Sequence, residues 1–189
     1  MAVSIEEAMR QCRISADNYD AVGLMEIQQL LGAYILAATE LLDGWTGILG
    51  RCLKTQVWRQ DFDGFGRCLP LGLGPVSAIG SVTWRDGEGQ LSTVGPADYA
   101  LATDGGGRST VRFRNAWSMP GDLYESAAVS VTYTAGSASV PVPIQQAILL
   151  AVGAWYENRE ETVIGTIASS LPASVAIDRL LAPYRRTGL

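Results

Sequence analysis

Three carboxylates toward the C-terminal end have the type and spacing that metal chemistry would use. Glu157, Glu160 and Glu161 fall at i, i+3 and i+4, so on a helix they share a face and could together hold a hard cation. Arg159 stands among them, and a solvated, ion-paired surface accounts for the same residues without a metal. Asp61-Phe62-Asp63-Gly64 begins like a calcium loop, but Gly72 occupies the twelfth position, where such a loop needs a bidentate glutamate. That stretch reads as a hairpin turn. Gly105-Gly106-Gly107-Arg108 has the backbone freedom to wrap a phosphate, yet no Lys-Ser/Thr follows and no helix pattern begins there. It reads as a flexible loop. Arg108, Arg112 and Arg114, with Phe113 and Trp117 nearby, form the best basic strip for nucleic acid. Alternation puts Arg112 and Arg114 on one strand face, which a solvated edge strand explains equally well.

The sequence contains no histidine. Ser-His-Asp and Cys-His nucleophiles, zincin motifs and the usual general base near neutral pH are therefore closed to it. Cys12, Cys52 and Cys68 are odd in number and lack CxxC spacing, which argues against a disulfide framework or a zinc site and for small core residues. No catalytic residue, metal site or cofactor is expected. The net charge of −5 gives no overall field that draws in nucleic acid. Hydrophobic residues make up 48% of the chain against 17% charged, so a packed core is expected from one domain or from a core with an inserted lobe. The uninterrupted apolar runs are short for a bilayer, and Glu6 and Glu7 sit where a signal peptide would be basic. A soluble, unsecreted protein is the expectation.

The element that organises the chain is Pro141 to Glu161. Pro141 and Pro143 suit a first helical turn, and Ile144, Ile148, Val152 and Trp155 recur at helical spacing with Ala147, Ala151 and Tyr156 beside them. Trp155 and Tyr156 read as core. Ser4-Ile5-Glu6-Glu7 has capping-box spacing and predicts a short first helix. Asp20 is the expected N-cap of a longer helix, with Leu24, Ile27, Leu30, Leu31, Tyr34, Ile35, Ala38 and Leu42 on its apolar side. From Leu53 the period changes to that of strands. Thr55–Arg59, Val76–Trp84, Asp98–Leu101, Val111–Arg114 and Ala128–Thr134 are separated by Gly-, Pro- and Asp-rich turns. Thr162 to Ser170 reads as a connection, and Leu171-Pro172 starts a last helix with Val175, Ile177, Leu180 and Leu181, stopped near Pro183. The fold class is thus α+β: a helical core from 1–52 and 140–189, with a small antiparallel β lobe, 53–139, inserted.

The Val-Pro-x-x-Ile-x-x-Ala-Ile-Leu-Leu start of the organising helix, the following Trp-Tyr-Glu-Asn-Arg-Glu and the Leu-Leu-Ala-Pro-Tyr-Arg tail resemble the head-tail connector (adaptor) proteins of tailed phages. The helix from Asp20, Thr55-Gln56-Val57-Trp58, Leu69-Pro70-Leu71, Val82-Thr83-Trp84 and Val129 to Gly136 are similar, in order, to longer members that carry a β insertion. Phage-derived gene-transfer particles use similar parts. The resemblance implies a structural, non-enzymatic virion protein of the neck, made in the host cytoplasm and binding no membrane. It implies a homo-oligomeric ring, a dodecamer on the portal protein, that extends the DNA channel and receives the next neck or tail-completion protein. DNA passes through the lumen without sequence-specific binding, so channel-facing positions are expected to be acidic or small. The resemblance also implies portal docking through the C-terminal helix and tail: Ile177, Leu181 and Tyr184 as apolar contacts, Arg185 and Arg186 as charged ones, out to Leu189. The alternatives are another neck or tail component such as a tail terminator, or a metal-dependent carboxylate hydrolase.

Overall fold

The computed structural model describes residues 2–158 and 172–186. They fall into two compact units, Met1–Leu53 with Ser139–Gly188, and Lys54–Ala138. The first is helical and the second is built of antiparallel strands, the α+β architecture expected.

In the helical unit, α1 (Ile5–Gln11) opens on a closed capping box: the Glu7 amide donates to Ser4 Oγ at 3.2 Å and the Ser4 amide to Glu7 Oε2 at 2.7 Å. The backbone hydrogen bond from Ser4, reinforced by its hydroxyl, holds the Glu7 carboxyl below its ordinary pKa. α2 (Ala21–Leu42) starts at Asp20, whose Oδ1 accepts the Gly23 amide at 2.8 Å. After α2 the chain turns back sharply. Asp43 Oδ1 accepts the Leu53 amide at 2.7 Å, and Gly47 lies so close to the Asp43 carbonyl that a Cβ there would collide with it. α3 (Val142–Glu157) follows Pro141, and α4 (Pro172–Leu181) runs into a 3₁₀ turn, Ala182–Tyr184.

The core of this unit joins Leu31, Ile35, Ala38 and Leu42 of α2 to Ile144, Ala147, Ile148 and Val152 of α3, with Ala8 and Met9 of α1 and Leu181 of α4. Each fully buried leucine or isoleucine contributes roughly 1.5–3 kcal/mol, so the two central helices dominate its stability. Trp155 and Tyr156 are half-buried and pack against that core, Trp155 meeting Tyr34 edge-on at 6.0 Å between ring centroids. By length and composition α2 is long and apolar enough to cross a membrane, a property that core helices of soluble proteins share.

The β unit contains two antiparallel sheets. β1 (Gln56–Phe62), β7 (Val129–Ala135), β3 (Val76–Arg85) and β4 (Leu91–Thr93) lie side by side in that order. β2 (Cys68–Pro70), β6 (Ser109–Phe113) and β5 (Tyr99–Thr103) form the other sheet. β7 is central to the first, and its alternation is complete: Val129, Val131, Tyr133 and Ala135 are buried, with the residues between them half-exposed. The register pairs Trp58 with Tyr133 and Gln60 with Val131 on one side, and Val82 with Val131 on the other. Gly136 ends β7 at φ +104°, where a Cβ would run into the Lys54 carbonyl.

One turn reading and one strand reading change. Asp61 to Gly64 does not close a hairpin, because β1 pairs with β7 and the turn instead carries the chain across to β2 in the other sheet. β6, which carries Arg112, is the middle strand of its sheet rather than an edge.

Candidate functional site at the C-terminal helix

α4 has two faces. Ile177, Leu180 and Leu181 pack on the helical core, Leu181 with no exposed surface at all, while Val175, Asp178 and Arg179 are exposed. The 3₁₀ turn that follows lays Tyr184 against the same core. The Arg51 guanidinium sits 5.7 Å from the Tyr184 ring centroid, a cation–π contact. The Arg186 amide donates to the Leu49 carbonyl at 3.1 Å, and Gly50, at φ +59°, brings that loop to 3.7 Å from Arg186 Cβ at the point where its own Cβ would stand. Arg185 Nη2 pairs with Asp178 Oδ1 at 2.7 Å, with 42% and 65% of the two side chains exposed.

The residues named from sequence therefore divide. Leu181 is core, its side chain buried within the helical unit. Ile177, Tyr184 and Arg186 are half-buried, and Arg185 is exposed. Leu189 lies outside the described residues. Arg51 was not singled out; its charge next to the tail becomes visible only because the loop after α2 returns to α4.

The other chemical candidates are used structurally. Asp61 accepts from Ser130 Oγ at 2.7 Å and pairs with Arg59 at 2.8 Å, so its pKa is lowered first by the Ser130 hydroxyl and then by Arg59. Asp63 Oδ1 accepts the Ala127 amide at 3.0 Å. Both carboxylates thus brace β1 against the chain at β7. In the glycine loop, Asp104 Oδ1 accepts the amides of Gly106 and Arg108, each at 2.9 Å, and Oδ2 pairs with Arg108 Nε. A carboxylate fills the place a phosphate would take.

Arg112 and Arg114 are exposed, whereas Phe113 turns inward to stack on Trp117 at 4.9 Å, with Phe65 edge-on to both. Guanidinium and ring therefore point to different sides, and the strip lacks the stacking platform that single-stranded nucleic acid needs. Glu157 is exposed at the end of α3, and Arg159, Glu160 and Glu161 lie outside the described residues. Among the described residues, no group of three acids or cysteines is placed to hold a metal. Of the cysteines, Cys52 is buried and Cys12 half-buried, but Cys68 is exposed on β2 and is not a core residue. Burial, with Glu157 adding to it, raises the Cys12 thiol pKa and keeps it protonated.

No family model matches the sequence, and no curated protein does. Solved structures do. A chain in the neck of an empty GTA particle, computed with C6 symmetry, superposes with a TM-score of 0.74 at 21% identity, over 100% of this chain and 91% of that one. The fold is that of a gene transfer agent particle chain. A chain from the virion of a native gene transfer agent particle gives a TM-score of 0.64 at 20% identity, covering 100% and 91%. One in the neck of a native GTA particle, computed with C12 symmetry, gives 0.57 at 22%, covering 100% and 94%. At these identities the likeness shows the fold, in the helical unit and the β unit alike.

Proposed function

We propose that this chain is a structural protein of a phage-like particle neck, the head-tail connector that forms a ring under the portal and extends the DNA channel toward the tail. The observation that carries the reading is the end-to-end likeness to a chain in a particle neck, at a TM-score of 0.74. The neck structures it resembles were computed with C6 and C12 symmetry, which supports a ring of repeated subunits.

In this reading the portal meets the end of α4 and the tail. Arg185 is an exposed cation, Tyr184 and Ile177 offer partly exposed apolar surface, and Leu181 anchors the helix from within. Arg186 sits beside them on the loop after α2. The next neck or tail-completion protein takes the far side of the ring, and DNA slides along a lumen poor in cations. Mixing the purified protein with the portal of the same particle, then imaging by electron microscopy without imposed symmetry, tests the proposal. An added ring at the portal's narrow end is expected. An unaltered portal, with folded protein in excess, would overturn it.

A further inference from the structure

The outward face of α2 carries large apolar residues at positions its own core does not use. Leu31, Ile35, Ala38 and Leu42 serve the core, while Val22, Met25, Gln29, Gly32 and Leu36 follow a 3-4-3-4 repeat on the opposite side of the helix. Val22, Met25 and Leu36 are 59%, 52% and 58% exposed, and a Cβ on Gly32 would meet nothing within 4 Å. This is a seam that a second helix could fill, along roughly 21 Å of α2. Its charges have one sign: Glu26 and Glu40 are the only ionisable acids or bases on α2, and both are exposed.

A complementary face exists on the same unit. Among the described residues α3 packs on both α2 and α4, and no comparable packing joins α2 to α4. The outward face of α4 carries Val175 at 43% exposure, Arg179 and, one turn on, Ala182. Its one acid, Asp178, is already paired with Arg185. One face is apolar and acidic, the other apolar and basic. We propose that the outward face of α2 on one copy receives the outward face of α4 on the next, a heterologous contact that closes into a ring. The assignment rests on the ring reading above and adds which surfaces form its repeating interface.

Two full-length variants test it, Leu36→Asp and Val175→Asp. Each places a carboxylate at an exposed position, so the subunit should fold, as circular dichroism will verify. Wild-type protein, alone at rising concentration or on the portal, sets the reference by sedimentation velocity. Each variant alone should raise the concentration for half-association by about a hundred-fold, the effect of burying an unpaired charge in an apolar seam. An equimolar mixture should yield one-to-one dimers that grow no further, because one variant retains only its α4 face and the other only its α2 face. Normal association of Val175→Asp with loss in Leu36→Asp would indicate α2 against α2 and overturn the proposal. So would a mixture that stays monomeric where wild type associates, or a Leu36→Asp variant that assembles but no longer meets the portal. Wild type that forms no oligomer alone or on the portal would remove the ring reading itself.

Discussion

Leu181→Ala should destabilise the helical unit, and the size of the effect separates a core residue from a contact residue. Leu181 is completely buried and belongs to the core of the helical unit. Alanine deletes three carbon groups, about 2.4 kcal/mol at roughly 0.8 kcal/mol each. The cavity left behind adds to this, since α4 is held by α3 and cannot collapse freely, giving about 2.5–4 kcal/mol in all. For a unit of about a hundred residues that corresponds to a fall in Tm on the order of 10–20 °C. Urea denaturation followed at 222 nm, where helices dominate the signal, is the appropriate assay. The midpoint should fall with little change in slope. A loss below about 1 kcal/mol, accompanied by lost portal binding, would refute the packing argument and return Leu181 to the set of contacts.

Arg185→Ala should behave in the opposite way: its pair with Asp178 is solvent-exposed, so stability should change by less than about 1 kcal/mol while portal affinity falls, as a binding titration will show. Gly136→Ala should cost the β unit about 1–3 kcal/mol from backbone strain alone, with the collision against the Lys54 carbonyl adding to it; thermal unfolding measures it. Asp61 has a lowered pKa in the folded state, so its contribution is present above the unfolded value near 3.9 and is lost as pH falls through the folded value. Wild type and Asp61→Asn should therefore differ in stability at pH 7 and converge in acid, as urea midpoints across pH 2–7 will record to within about one unit. Calorimetric titration with magnesium, manganese or calcium should give no stoichiometric heat, and a one-to-one isotherm would revive the carboxylate hydrolase.

Capping and periodicity were legible in the sequence, whereas the three-residue strands β2 and β4 were too short to show a period. Ser4 with Glu7 and Asp20 with Gly23 announce helix starts because capping needs only residues three apart. The inward faces of α2, α3 and β7 follow from periods of 3.6 and 2, which any single strand or helix displays by itself. The insertion of strands between helices, and so the α+β class, followed from where the period changed. Tertiary structure decided what depends on residues far apart in the chain. Strand order is one case: β1 finds β7 about seventy residues on, so Asp61 to Gly64 links two sheets and β6 sits in the middle of one. Cys68 and Leu181 are the other: both are small or apolar, and only the packing of neighbours leaves one exposed and buries the other. The outward seam of α2 is hidden from sequence for the same reason. An apolar helix position shows that it seeks a partner, and only the fold reveals whether its own chain has already supplied one.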